Sequence, residues 1–150
     1  MKLSIIVPSF NEEETLNELY NELIKTFREI NFEIIFVNDG SFDNTFKILK
    51  DLYSQDKERV RVINFSRNFG KEASIYAGLK HSKGEYTSII DADLQQEPKY
   101  LLKALKYLEE NETTDMVALI PDKKSFFSNM FYKTINVLSD IKLKNNASDF

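Results

Sequence analysis

Short apolar runs rich in β-branched residues alternate along this chain with longer segments whose apolar residues recur at helical spacing. The apolar runs are typical of buried strands, and the segments between them are long enough to cross from one parallel strand to the next. Predicted strands lie at 2–8, 33–38, 60–65, 86–90 and 115–120, and predicted helices at 11–30, 48–53, 71–80 and 99–108. This order predicts an α/β fold, with a mostly parallel sheet flanked by helices.

Composition excludes several classes of protein. A chain of 150 residues is expected to form one domain, and its net charge of −4 argues against a nucleic-acid partner. Without cysteine there is no disulfide or thiolate metal site, and the single His81 cannot form a histidine cluster. No apolar run approaches the length of a membrane span, so a soluble, uncleaved chain is expected.

Polar and charged residues follow each of the first four predicted strands. The segments are Pro8–Glu12, Asn38–Ser41, Ser66–Lys71 and Asp91–Asp93. In an open parallel sheet, ligands bind at the carboxyl ends of the strands, where the strand order reverses. These four segments therefore predict a binding site at one edge of the sheet.

The segment Asp91–Gln95 predicts a metal site. In an extended chain, alternate residues point to one side, so Asp91, Asp93 and Gln95 would present three oxygen-bearing side chains together. Magnesium is usually held by one or two carboxylates plus substrate phosphates. The alternative is a solvated turn before a helix that opens at Pro98. A calcium loop is excluded, because its glycine and glutamate positions are occupied by glutamine and leucine.

Acidic residues after the first two strands have two interpretations each. Asp39 either accepts hydrogen bonds from a base or ribose, or belongs only to a tight turn with Gly40. Glu12 lies nearest the strand end and is assigned to the pocket, whereas Glu13 and Glu14 are interpreted as favourable charge at a helix start.

Basic residues after the third strand are candidate phosphate ligands. Arg67 and Lys71 lie within reach of a phosphate bound at the strand ends, or are surface cations. His81 is interpreted as a surface residue near a helix end.

Taken together, four motifs resemble the inverting family 2 glycosyltransferases of GT-A fold, a Rossmann-like fold. They are Val7–Glu12, Phe36–Ser41, Ser66–Lys71 and Asp91–Gln95. The similarity is strongest to the polyprenyl-phosphate branch, which includes bactoprenol glucosyltransferases and dolichyl-phosphate mannose synthases. It spans essentially the whole chain in the family's order.

The resemblance implies transfer of a hexose from a nucleotide sugar of the UDP-glucose or GDP-mannose type to a polyprenyl phosphate. It implies a cytoplasmic protein at the cytoplasmic face of a membrane, acting in the cell envelope; a homo-oligomer is left open. It assigns the metal, Mg²⁺ or Mn²⁺, to Asp91, Asp93 and Gln95, with Asp91 and Asp93 as the catalytic residues. The implied nucleotide-binding residues are Pro8, Phe10, Asn11, Glu12, Asp39, Lys71, Asp91 and Ala92.

Three departures from the family pattern are evident. Phe10 replaces the usual tyrosine, Asn38 replaces the first aspartate of Asp-Asp-Gly-Ser, and 119–124 carries lysines where arginines usually meet the diphosphate. We expect a nucleotide-sugar core at 1–120, the start of an acceptor-side segment at 121–150 that includes an amphipathic helix over 126–138, and truncation at the carboxyl end.

Two other functions compete with this interpretation. One is a catalytically idle GT-A domain kept for nucleotide binding or assembly. The other is a receiver-like signalling domain, which requires an acidic phosphoacceptor after the third strand that this sequence lacks.

Overall fold

The structure, a computed structural model, describes residues 1–111 and 113–119. Strands and helices alternate through this part of the chain as predicted, with boundaries shifted by a few residues. The elements are β1 (Leu3–Ser9), α1 (Leu16–Thr26), β2 (Phe32–Asn38), α2 (Thr45–Gln55), β3 (Val60–Asn64), α3 (Lys71–His81), β4 (Tyr86–Ile89) and α4 (Pro98–Glu110).

The four strands form one parallel sheet in the order β3-β2-β1-β4. From β1 the chain adds β2 and β3 on one side and then returns to place β4 on the other. The strand order therefore reverses at β1, and a crevice is expected between the carboxyl ends of β1 and β4. The parallel sheet with helices on its faces confirms the predicted fold class.

Both faces of the sheet are covered, which explains why β2 is apolar without alternation. All seven residues of β2 are buried. On one face, Ile5 and Val7 join a large core with leucines of α1, α2 and α4. On the other, Ile6 meets α3 at Gly78, where an added Cβ would lie 2.4 Å from the Ile6 Cγ2 atom. This close approach sets α3 directly against β1.

The first helix is shorter than the predicted 11–30, and Asn11, at the predicted start, does not cap it. Asn11 has φ of 57°, and its side-chain oxygen accepts a hydrogen bond from the Phe42 amide. Because that oxygen binds another loop, it does not cap the helix, which begins after Thr15.

The predicted fifth strand at 115–120 is also wrong for its described part. Residues 115–119 form neither helix nor strand, and the Met116 side chain is 75% exposed. An apolar run becomes a strand only when ladder hydrogen bonds satisfy its backbone, and a sequence pattern does not reveal that partner.

Chain contacts divide the protein into two compact units. Met1–Tyr107 contains the whole sheet and most of the helices, and Leu108 begins the second unit. The lysine segment 121–124 and the helix predicted at 126–138 lie outside the described residues, and the predicted boundary at 120 stays a prediction. In 1–111 and 113–119, no helix is long and apolar enough to cross a membrane.

Candidate active site

Loops at the carboxyl ends of all four strands, with the start of α3, line one cleft of about 340 Å³. Eight of the predicted nucleotide and metal residues contribute to it: Pro8, Phe10, Glu12, Asp39, Lys71, Asp91, Ala92 and Asp93. Four further lining residues, Ser9, Asn68, Gly70 and Ser74, had no predicted role. Asn11 and Gln95 are not among the lining residues. The structure thus gathers most of the predicted site in one place.

Hydrogen bonds join the loop after β1 to the loop after β2. The Asn11 amide donates to Ser41 Oγ at 3.0 Å, and the Asn11 side chain accepts from the Phe42 amide at 3.1 Å. Further along, the Glu12 amide donates to Thr45 Oγ1 at 2.7 Å. A positive φ at a non-glycine residue is strained, and these bonds hold Asn11 in it. Asn11 therefore positions the loops that carry Phe10 and Glu12.

Asp39 ties the end of β2 to the loop after β3. Its carboxylate is 4% exposed and accepts hydrogen bonds from the backbone amides of Phe69 at 2.7 Å and Gly70 at 2.9 Å. The two loop backbones touch at Gly40, where φ is 68° and an added Cβ would lie 2.3 Å from the carbonyl carbon of Arg67. Each carboxylate oxygen keeps a second lone pair, so the contact with a base or ribose stays a prediction.

Gly70 lies within the predicted segment Ser66–Lys71 but was given no role of its own, because a glycine before a helix suggests only a turn. Its φ of 99° lies where glycine is favoured, and it immediately precedes α3. The better signal would have been its position beside Lys71 at the carboxyl end of a parallel strand, the place where loops meet ligands.

The cleft is strongly acidic. Four carboxylates line it, Glu12, Asp39, Asp91 and Asp93, against one ammonium group, that of Lys71. Lys71 Nζ lies 2.7 Å from Asp91 Oδ1. Burial raises the pKa of Glu12. A hydrogen bond from Thr15 lowers this pKa, and the negative charges of Asp93, Asp43 and Asp91 raise it further.

The segment Asp91–Gln95 is a turn, so the prediction of an extended segment is wrong. Leu94 has φ of 61°, and Asp93 Oδ1 accepts a hydrogen bond from the Gln95 amide at 3.0 Å. Gln95 is exposed. Because the segment is not extended, the alternation of side chains along a strand does not place Gln95 beside the two aspartates. Its role as a metal ligand stays a prediction. α4 does open at Pro98, as expected.

Arg67 and His81 do not line the cleft. The Arg67 guanidinium lies over the Phe69 ring, 4.7 Å from its centroid. His81 is exposed at the end of α3, with Nδ1 2.8 Å from the Ala77 carbonyl oxygen, in agreement with its interpretation as a surface helix residue.

Asp91 and Asp93 fit a divalent cation that is shared with phosphate. Among residues 1–111 and 113–119, no group of three or more acidic or histidine side chains is arranged to hold a metal ion. Of the four carboxylates, Asp39 already accepts two amide hydrogen bonds and Glu12 accepts one from the Thr15 hydroxyl, whereas Asp91 and Asp93 lie together in the turn after β4. Two carboxylates with phosphate oxygens are the usual environment of Mg²⁺.

The sequence profile described as glycosyl transferase family 2 matches residues 4–147, so the chain belongs to that family. It is 43% identical over 157 residues to the putative glycosyltransferase CsbB of Bacillus subtilis (strain 168), covering 99% of this chain and 46% of that protein. It is 35% identical over 160 residues to the bactoprenol glucosyl transferase of Shigella phage SfX, covering 100% of this chain and 51% of that protein. The chain thus spans about half the length of these curated relatives.

Solved structures share the fold. S. aureus TarS 1-349 in complex with UDP superposes with a TM-score of 0.63 at 30% identity, covering 75% of this chain and 33% of that one. The mannosyltransferase PcManGT from Pyrobaculum calidifontis, in complex with GDP-Man and Mn²⁺, has a TM-score of 0.64 at 20% identity, over 90% and 38% of the two chains. These similarities confirm the GT-A fold.

Proposed function

We propose that this chain is the nucleotide-sugar-binding part of a metal-dependent inverting glycosyltransferase that moves a hexose to a polyprenyl phosphate. The observation that carries the proposal is the charge of the cleft, four carboxylates against one ammonium, at the reversal point of a parallel sheet. Family membership and the bactoprenol glucosyl transferase relative support the reaction and the acceptor.

The charges explain why a cation is required. A nucleoside diphosphate is an anion, and each unit-charge pair at about 4 Å and an effective dielectric of about 20 costs or gains about 4 kcal/mol. Lys71 alone does not offset four carboxylates, so an anionic ligand needs a further positive charge between it and Asp91 and Asp93. When bound, Mg²⁺ or Mn²⁺ would supply that charge and oppose the negative charge that grows on the departing diphosphate.

The other lining residues bind and orient the nucleotide. Phe10 offers an aromatic face, and Asp39 holds the loop that leads to Lys71. Lys71 lies at the first position of α3, where its ammonium and the positive end of the helix both favour a phosphate. Glu12 lines the same cleft as Asp91 and Asp93, and the negative charges of these two aspartates contribute to its raised pKa.

A phosphate acceptor suits the described residues. A hydroxyl needs a general base, whereas a lipid phosphate is already anionic at neutral pH. The single histidine is exposed at the end of α3 and is not among the lining residues. Carboxylates of the cleft are the other possible bases, so the support for a polyprenyl phosphate at a membrane surface comes from the bactoprenol glucosyl transferase relative.

An idle GT-A domain that binds nucleotide without transferring sugar is the second candidate. It is favoured by the lysines that 119–124 carries in place of the arginines usual in the family. A receiver-like domain has no support, because β3 ends at Asn64 without an acidic residue there.

A thermal-shift panel of UDP-glucose and GDP-mannose, with and without Mn²⁺, tests the proposed binding. We expect stabilisation by one nucleotide sugar only when the metal is present. Metal-dependent release of hexose from that donor, and its transfer to polyprenyl phosphate in vesicles, then separates an active enzyme from an idle domain. No stabilisation by either donor would overturn the proposal.

A further inference from the structure

Phe42 is an aromatic residue displayed to solvent beside the cleft. It lies in the loop after β2, and 85% of the residue is exposed. Its ring meets the Phe10 ring edge to face, with centroids 5.8 Å apart and planes at 83°. Phe10 lines the cleft, whereas Phe42 reaches it only through Phe10.

The loop that displays Phe42 is built into the fold. The Phe42 amide donates to the Asn11 side chain, and the Asn11 amide donates back to Ser41 Oγ. One residue after Phe42, the Asp43 carboxylate accepts hydrogen bonds from the backbone amides of Glu13 and Thr45. The backbone that carries Phe42 is thus held by hydrogen bonds between two loops, and both loops border the cleft.

The cleft is lined by one aromatic side chain and by several charged side chains. Phe10 supplies an aromatic surface, while Lys71, Asp91 and Asp93 supply the charged groups suited to a cation and phosphates. A ligand that satisfies both has a flat apolar group joined to a diphosphate. Edge-to-face aromatic pairs contribute about 0.5–1.5 kcal/mol beyond their buried area, so Phe42 holds Phe10 in one orientation.

We infer that Phe42 is a positioning residue for base recognition, which fixes the Phe10 ring against the nucleobase of a nucleoside diphosphate. The inference rests on the proposed function and assigns a role to a residue outside the cleft lining. It predicts a loss confined to ligands that carry a base.

Calorimetry of Phe42→Ala with three ligands, each with Mn²⁺, tests this role. UDP and GDP carry a base, and pyrophosphate does not. We expect the affinity of the tighter nucleotide to fall about three- to tenfold, the fold-change of an aromatic pair, while pyrophosphate affinity is unchanged. Because the side chain is so exposed, the melting temperature should not change.

Two further variants control the experiment. Phe42→Tyr keeps the ring contact and should retain wild-type nucleotide affinity. Tyr76→Ala removes another exposed aromatic residue, which lies on α3, is 62% exposed and is not among the cleft-lining residues. This variant should change neither the nucleotide affinity nor the pyrophosphate affinity.

Distinct results would overturn the inference. Unchanged nucleotide affinity in Phe42→Ala, or an equal loss for nucleotide and pyrophosphate, would show that Phe42 does not act on the base. A wild-type protein that binds neither UDP nor GDP with Mn²⁺ would overturn the proposed function, and the inference with it.

Discussion

The Lys71 ammonium lies 2.7 Å from Asp91 Oδ1 and joins the start of α3 to the turn after β4. A divalent cation shared by Asp91, Asp93 and a diphosphate would use the same carboxylate. If the proposed metal assignment holds, Lys71 and the cation would compete for Asp91, and Lys71 would be released to the phosphates when the cation binds.

Lys71→Gln should change metal and nucleotide affinity in opposite directions. A partly exposed ion pair is worth up to about 1 kcal/mol, so Mn²⁺ alone should bind up to about fivefold more tightly to the variant. UDP or GDP with Mn²⁺ should bind more weakly, because a phosphate contact is lost. Calorimetry of each ligand measures both effects.

Arg67→Gln is the matched control, since it removes a positive charge from the loop that leads to Lys71 and does not line the cleft. If both variants bind Mn²⁺ equally well, the contact between Lys71 and Asp91 does not govern metal affinity.

Asp93→Asn should abolish the metal-dependent part of nucleotide binding and leave the fold intact. The change keeps the size of an exposed side chain and removes its charge. If about half of a unit-charge interaction of about 4 kcal/mol is realised in the complex, Mn²⁺ increases the nucleotide affinity roughly thirtyfold, and this increase is expected to be lost. Titration of UDP or GDP with and without Mn²⁺ measures the loss. As a control, Asp51→Asn at an exposed position of α2 should not change nucleotide affinity. An unaltered Mn²⁺ dependence in Asp93→Asn would refute the metal assignment.

Asp39→Ala should weaken nucleotide binding with or without metal and also lower stability. Both carboxylate oxygens accept amide hydrogen bonds, and because these donors are only partly buried, leaving them unpaired costs less than the about 1–3 kcal/mol of a fully buried donor. Asp39→Asn keeps one acceptor and should be intermediate. Urea unfolding and nucleotide titration separate the two effects, and an Asp39→Ala protein with wild-type affinity would move the base pocket elsewhere.

The buried Glu33 should make the fold sensitive to acid. Burial alone would raise its pKa, but hydrogen bonds from Arg61, Ser4 and the Lys83 amide outweigh burial and lower the pKa below the ordinary 4.5. A lowered folded-state pKa adds stability that is complete above the unfolded value and is lost as pH falls through the folded value.

Glu33→Gln should therefore be less stable than wild type at pH 7, with the difference shrinking below about pH 4.5. Urea unfolding between pH 3 and pH 7, roughly the range of carboxylate titration, measures it. Parallel stability curves for the two proteins over this range would contradict the assignment.

The sequence predicted what depends on local pattern. Apolar periodicity located the four strands, and the segments at their ends, read through the family resemblance, identified eight of the cleft-lining residues. It did not predict relationships across loops, because nothing local marks them. The amides that bind Asp39, the contact of Phe42 with Phe10, and the hydrogen bond that keeps Asn11 from capping α1 all join residues about 30 positions apart. The turn at Asp91–Gln95 was mistaken for an extended segment because it follows a strand directly.

The contact between Gly40 and the backbone at Arg67 has a consequence for how this site can diversify. No side chain fits at Gly40, where φ is positive and a Cβ would overlap backbone atoms. Two residues later, Phe42 faces solvent and meets no such restriction. Neighbouring positions in one loop thus differ sharply in mutational tolerance, so the residue at position 42 can change while the frame of the cleft stays fixed.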